Sequence, residues 1–189
     1  VGASSIKKGE TLIDTAMTLN AMQPDVLVVR HNDAGAVKLL SEKVNCGVIN
    51  AGDGTHEHPT QGLLDTYSIN EKLGSVDNKR VLILGDVLHS RVALSNIFAL
   101  RLLGAKIKVC GPKSLIPKFI QTFDVNYEPN LEKGLSWCDA VNILRVQKDV
   151  EMNVWSNGHY RKHVCTHTRV RLSWIRRVEL LEQPAEQIG

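Results

Sequence analysis

Apolar positions along this chain follow two rhythms, a helical spacing near 3.6 residues and short unbroken runs, and the alternation between them predicts the elements. Leu12, Ile13, Ala16, Met17 and Leu19 fall on one helical stripe, so a helix is expected over 10–22, ended by Pro24. Asp25 then opens Val26-Leu27-Val28-Val29, a continuously apolar run of strand length, as in parallel sheets covered on both faces. A helix over 34–44 and a strand over 46–49 follow. After a polar stretch a third helix runs to about Leu73, and Gly74-Ser75-Val76-Asp77-Asn78 reads as a hinge or linker. The pattern resumes with a strand over 80–86 closed by a glycine turn, and a long helix over 92–103. A strand over 106–110, a short helix over 115–122 and a strand over 139–144 complete it. This alternation predicts parallel α/β architecture in two halves that meet near Gly74 to Asn78.

The polar stretch between the second strand and the third helix is Asn50-Ala51-Gly52-Asp53-Gly54-Thr55-His56-Glu57-His58-Pro59-Thr60-Gln61. Two glycines and an aspartate make a tight turn. Pro59 holds His58 extended and suits the first position of a helix. His58, Thr60 and Gln61 should therefore cluster where a strand ends and a helix begins, the place where open α/β sheets bind small ligands and anions. A neutral histidine donates one hydrogen bond and a glutamine amide both donates and accepts, so together they can orient a carbonyl compound. A structural cap flanked by surface histidines is the plainer alternative. Arg30, at the end of the first strand, offers a planar fork for phosphate or carbonyl oxygens, or simply caps the strand. Arg91, on the first turn of the helix after Gly85, reads as an anion ligand. A strand, a glycine and a helix could suggest a dinucleotide fold, but only Gly85 of a G-x-G-x-x-G pattern is present, which excludes a nicotinamide cofactor.

Composition changes little. Among 189 residues, 43% are hydrophobic and 23% charged, ordinary values for a globular protein. A formal charge of +3 is too small to argue for nucleic acid, and much of the basic excess lies in the last forty residues or so. Cys46, Cys110, Cys138 and Cys165 form no CxxC pair and read as thiols of a reducing compartment. No apolar run reaches membrane-spanning length and no signal peptide opens the chain, so a cytoplasmic protein with no membrane partner is expected.

Taken together, the segments Ser4-Ser5-Ile6-Lys7-Lys8-Gly9-Glu10, Val29-Arg30-His31, Asn50 to Gly54 followed by His58-Pro59-Thr60-Gln61, Gly85 to Arg91, and Arg145-Val146-Gln147 resemble the aspartate/ornithine carbamoyltransferase family. The likeness runs from Ser4 to about Gln147 and favours the aspartate over the ornithine enzyme, because the latter typically reads His-Pro-Cys-Gln where Thr60 stands here. It implies two parallel-sheet α/β subdomains, both incomplete. Residues 1–74 would be the C-terminal part of a carbamoyl-phosphate-binding domain and 75–150 the N-terminal part of an aspartate-binding domain. It also implies carbamoyl transfer from carbamoyl phosphate to L-aspartate, an early step of pyrimidine biosynthesis, with no cofactor and no metal. By resemblance, Arg30 and His58 polarise the carbamoyl oxygen, Gln61 holds the carbamoyl amino group, and Ser4 joins the carbamoyl-phosphate site. Arg91 and Arg145, supported by Gln147, bind the aspartate carboxylates. Lys8 meets phosphate and aspartate across the interface of a homotrimer with shared sites, to which a regulatory chain can add.

The sequence departs from the family in three places. The Ser-Thr-Arg-Thr-Arg phosphate segment is missing, so the chain is expected to begin inside the first domain. A His-Pro-x-Pro loop and a closing helix are not found after Gln147. Residues 151–189 are then an unassigned tail, of the kind that a frameshift or an unrelated extension produces. A truncated, inactive remnant is the first alternative. A metal-dependent amidohydrolase, using His56 and His58 with His31, is a weaker one; it needs further ligands that His89, His159, His163 and His167 do not obviously supply.

Overall fold

The computed structural model describes residues 11–144 and the backbone of Glu179–Leu181. Thr11 opens the first described helix, α1 (Leu12–Ala21), with a capping box: its hydroxyl accepts from the Asp14 amide while the Asp14 carboxylate accepts from the Thr11 amide. Then come β1 (Val26–His31), α2 (Ala36–Ser41), β2 (Gly47–Asp53) and α3 (Pro59–Leu73). β1 and β2 pair in parallel, Val26 beside Gly47 and Val29 beside Asn50. Between Val29 and His31 the register slips, because β2 spends an extra residue there, and Arg30 sits at that bulge.

The second sheet is parallel, in the order β5-β4-β3-β6-β7. Its strands are β3 (Arg80–Leu84), β4 (Lys106–Cys110), β5 (Asn126–Tyr127), β6 (Ala140–Ile143) and β7 (Glu179–Leu181), with helices α4 (Arg91–Leu102) and α5 (Leu131–Trp137) between them. β3 is central and its neighbours lie on either side, so the chain reverses direction across the sheet between β3 and β6. That makes a topological switch point, with a crevice outside the strand ends. Val81, Ile83, Val109, Ala140, Ile97 and Leu100 pack one side of this sheet against α4. Leu82, Leu84, Cys110 and Val141 form a smaller cluster with Leu131, Leu135 and Trp137 of α5. Arg80 grips Asp139 with two side-chain hydrogen bonds, at 3.0 and 2.6 Å, and fixes the entry of β3 beside that of β6.

Parallel α/β architecture is what the alternation of runs predicts, and strand β4 falls where expected. Several details differ. Val28 is 67% exposed and Val26 50%, so the first strand is not covered on both faces by the described residues. The motif Asn50 to Asp53 is itself strand rather than turn. Pro117 prevents the expected helix over 115–122, which becomes two separate 3-10 turns, Lys113–Leu115 and Ile120–Phe123. β5 and α5 were not expected. Asn130 caps α5 by accepting from the Lys133 amide at 2.9 Å. β7 falls within the tail left unassigned and runs parallel to β6.

Candidate functional site

The ends of β1, β2 and β3 and the start of α3 carry the polar residues that the sequence singles out. His58 is the N-cap of α3 and Pro59 follows it at the first helical position. His58 takes φ −144° and ψ 74°, outside the helical region as a residue before proline should be. Its backbone N–H donates to the Ser95 hydroxyl at 2.8 Å, which ties the start of α3 to α4. Thr60 Oγ1 lies 3.1 Å from His58 Nδ1, which holds the ring at the start of the helix. Gln61 follows on the first turn, its Nε2 donating to Asp65 Oδ1 at 2.9 Å.

Arg91 reaches this corner from the other sheet. It begins α4, whose N-cap Ser90 accepts from the Ala93 amide. From there Arg91 Nη1 donates to the Gly54 carbonyl at 2.9 Å. Its guanidinium lies flat against Gly52, where an added Cβ would stand 3.0 Å from the central guanidinium carbon. Gly52 also has φ +132°, so both backbone conformation and space require glycine there. A second close approach lies behind the site: a Cβ on Gly62 would meet the Ser95 backbone at 3.2 Å, which lets α3 and α4 pack closely.

Asp53 ends β2 and is 2% exposed. Burial would raise its carboxyl, but hydrogen bonds from the Gly35 amide, from His56 and from the Val37 amide prevail and hold it below the ordinary carboxylate range. It thereby fixes the start of α2 and the turn after β2. Asp86, 1% exposed, holds His89 in a similar way, with Nδ1 3.0 Å from both carboxylate oxygens. Asp53, His56 and Glu57 could offer three ligand atoms within 4.8 Å of one another. That group leaves out His58 and His31, the partners an amidohydrolase would need; His31 Nδ1 instead accepts from the Asp33 amide at 3.0 Å.

Of the residues proposed from sequence, Arg30, His58, Gln61 and Arg91 stand at the strand ends and helix starts of this corner. Ser4, Lys8, Arg145 and Gln147 lie outside the described residues, as do His159, His163 and His167. Sequence reading missed Ser95, Asp65, Asn96 and Asn142, which stand behind the site. The available signals were an aspartate four residues after Gln61 in α3 and an asparagine interrupting Ala140-Val141-Asn142-Ile143.

Residues 1–71 match the family model described as aspartate/ornithine carbamoyltransferase, carbamoyl-P binding domain. The chain is 60% identical over 146 residues to the aspartate carbamoyltransferase catalytic subunit of Flavobacterium johnsoniae, covering 77% of this chain and 47% of that one. It is 60% identical over 147 residues to the corresponding subunit of Christiangramia forsetii, covering 78% and 47%. Among solved structures, aspartate transcarbamoylase from Trypanosoma cruzi in complex with N-(phosphonacetyl)-L-aspartic acid superposes with a TM-score of 0.68 at 34% identity, covering 79% of this chain and 52% of that one. The catalytic subunit of the M. jannaschii enzyme gives 0.69 at 34% identity, covering 78% and 51%. The chain thus spans about half the length of the relatives it matches. By sequence and by fold, then, it resembles in part the aspartate carbamoyltransferase catalytic chain of the aspartate/ornithine carbamoyltransferase family.

Proposed function

We propose that this chain contributes the His58–Gln61 corner and Arg91 to an aspartate carbamoyltransferase site, joining carbamoyl phosphate and L-aspartate to N-carbamoyl-L-aspartate and phosphate. The observation that carries the reading is the Arg91 contact with Gly54, which sets an anion-binding fork from one sheet beside the carbonyl-orienting corner of the other. Residues 1–74 then form part of a carbamoyl-phosphate domain and 75–150 part of an aspartate domain. In the reaction the aspartate amine attacks the carbamoyl carbon, a tetrahedral intermediate forms, and phosphate departs. Neither a covalent enzyme intermediate nor a metal is required. Catalysis then rests on orientation and on donors aimed at the developing oxyanion. Arg30 and the His58 ring stabilise the carbamoyl oxygen, while Gln61 and Ser4 hold the rest of carbamoyl phosphate. Arg91 and Arg145, with Gln147, take the aspartate carboxylates through charge-assisted hydrogen bonds. Lys8 comes from a neighbouring subunit of a cytoplasmic homotrimer, on which a regulatory chain can dock. A second reading is a chain that binds these ligands without turning them over.

Calorimetric titration with N-(phosphonacetyl)-L-aspartate tests the site. Each of His58→Ala and Arg91→Ala should weaken binding roughly ten- to a hundred-fold, the equivalent of about 1.5–3 kcal/mol for a charge-assisted hydrogen bond. Unchanged affinity in both variants refutes the assignment. Binding without formation of carbamoyl-aspartate selects the second reading.

A further inference from the structure

We infer that Asp65 is a positioning residue that fixes which end of the Gln61 amide faces the substrate, and that it does so from a buried hub shared by both halves of the molecule. The inference rests on the reaction just proposed. Asp65 stands one helical turn after Gln61 on the same face of α3 and is 6% exposed. Its Oδ1 accepts from Gln61 Nε2 at 2.9 Å. Its Oδ2 accepts from Asn96 Nδ2 of α4 at 2.6 Å and from Asn142 Nδ2 of β6 at 2.8 Å. Asn96 and Asn142 are themselves fully buried, and their Oδ1 atoms have no hydrogen-bond partner among the described residues.

The chemistry of the hub dictates the orientation. A carboxylate only accepts hydrogen bonds, whereas each amide has one donating and one accepting end of nearly equal size. Placing the carboxylate at the centre turns the NH2 group of all three amides inward. The oxygen of Gln61, the only one of the three not buried, is therefore directed away from the hub. An oxygen there accepts from a carbamoyl amino group; an NH2 would repel it. Asn96 lies on the helix that Arg91 begins, and Asn142 three positions before Arg145, so the same carboxylate ties the carbamoyl-reading amide to the supports of both candidate aspartate-binding arginines.

The test compares Asp65→Asn, Gln61→Ala and the double variant in the full chain, titrated with carbamoyl phosphate and with acetyl phosphate. The second ligand keeps the carbonyl and the phosphate but has a methyl group in place of the amino group. Asp65→Asn lets the Gln61 amide turn either way, so carbamoyl phosphate should bind at least tenfold more weakly while acetyl phosphate changes less than twofold. The double variant should be no weaker than Gln61→Ala alone. Equal loss for both ligands, losses that multiply in the double variant, or no loss at all overturns the inference. Should Asp65→Asn fail to fold, or should the unaltered chain bind neither ligand, solvent exchange of the Gln61 side-chain NH2 protons decides. Exchange at least tenfold slower than at the exposed Gln121 supports the hub, and equal rates overturn it. A chain that binds neither ligand but protects the Gln61 amide would refute the proposed function and leave the orientation standing.

Discussion

Val26-Leu27-Val28-Val29 in the first half and Val81-Leu82-Ile83-Leu84 in the second are almost the same apolar run, yet they meet different surroundings. In the first, Val28 is 67% exposed; in the second, Leu82 is fully buried. Among the described residues the first sheet has two strands, and the buried residues packed behind it are Ala16, Leu40 and Val44. The second has five strands with packed side chains on both faces. An apolar run therefore announces a strand, while the layers around it decide how much of the run is sealed.

That contrast can be broken in several ways. The largest effect is expected from Leu82→Ala, which removes fully buried volume and should cost about 2–5 kcal/mol in urea unfolding. Val28→Ala, from an exposed position, should stay within about 0.5 kcal/mol. Similar losses for the two would erase the distinction. Next comes Gly62→Val, which forces a branched side chain against the Ser95 backbone, 3.2 Å from where a Cβ would stand. It should cost about 1–3 kcal/mol and lower affinity for N-(phosphonacetyl)-L-aspartate as α3 and α4 part. Full affinity at normal stability would show that the helices give way without disturbing the corner.

Thiol labelling sharpens the comparison by rate. Burial pushes Cys110 and Cys138 up to about 11, so near neutral pH both stay protonated as well as enclosed. Cys46, in the first half, is only partly buried. Peptide mass spectrometry after iodoacetamide should find Cys46 modified well before the other two; equal rates would mean the second unit opens as readily as the first. The smallest effect is acid sensitivity. Asp139 is held low by its hydrogen bonds from Arg80, and Asp53 is held low by its amide and His56 partners despite burial. A lowered folded value gives stability that is complete above the unfolded value of about 3.9 and is lost as pH falls through the folded one. Both units should thus melt earlier only below about pH 4, and Asp139→Asn should flatten that slope for the second unit. A melting temperature that falls already between about pH 5 and 6 would point to other groups.

Much of this was legible in the chain because the signals are local. Lys106–Cys110 is a strand by its own residues, and Pro59 after His58 marks the start of α3 without any tertiary knowledge. Pro117 was an equally local signal, and it breaks the helix otherwise suggested over 115–122. The hub around Asp65 could not be read in this way. Gln61, Asp65, Asn96 and Asn142 come from three elements, and their pairing exists only once α3, α4 and β6 are packed together. The exposed face of β1 was hidden for the same reason, since coverage depends on neighbours and not on the run.

The close approach of Gly62 to Ser95 has a mechanical consequence. With no side chain on Gly62 to hold α4 off, the two helix backbones come closer there than any other residue at position 62 would allow. With the Ser95 hydroxyl also accepting from the His58 amide, the α3–α4 seam joins the start of α3 directly to α4, so a shift of either helix is passed to the other.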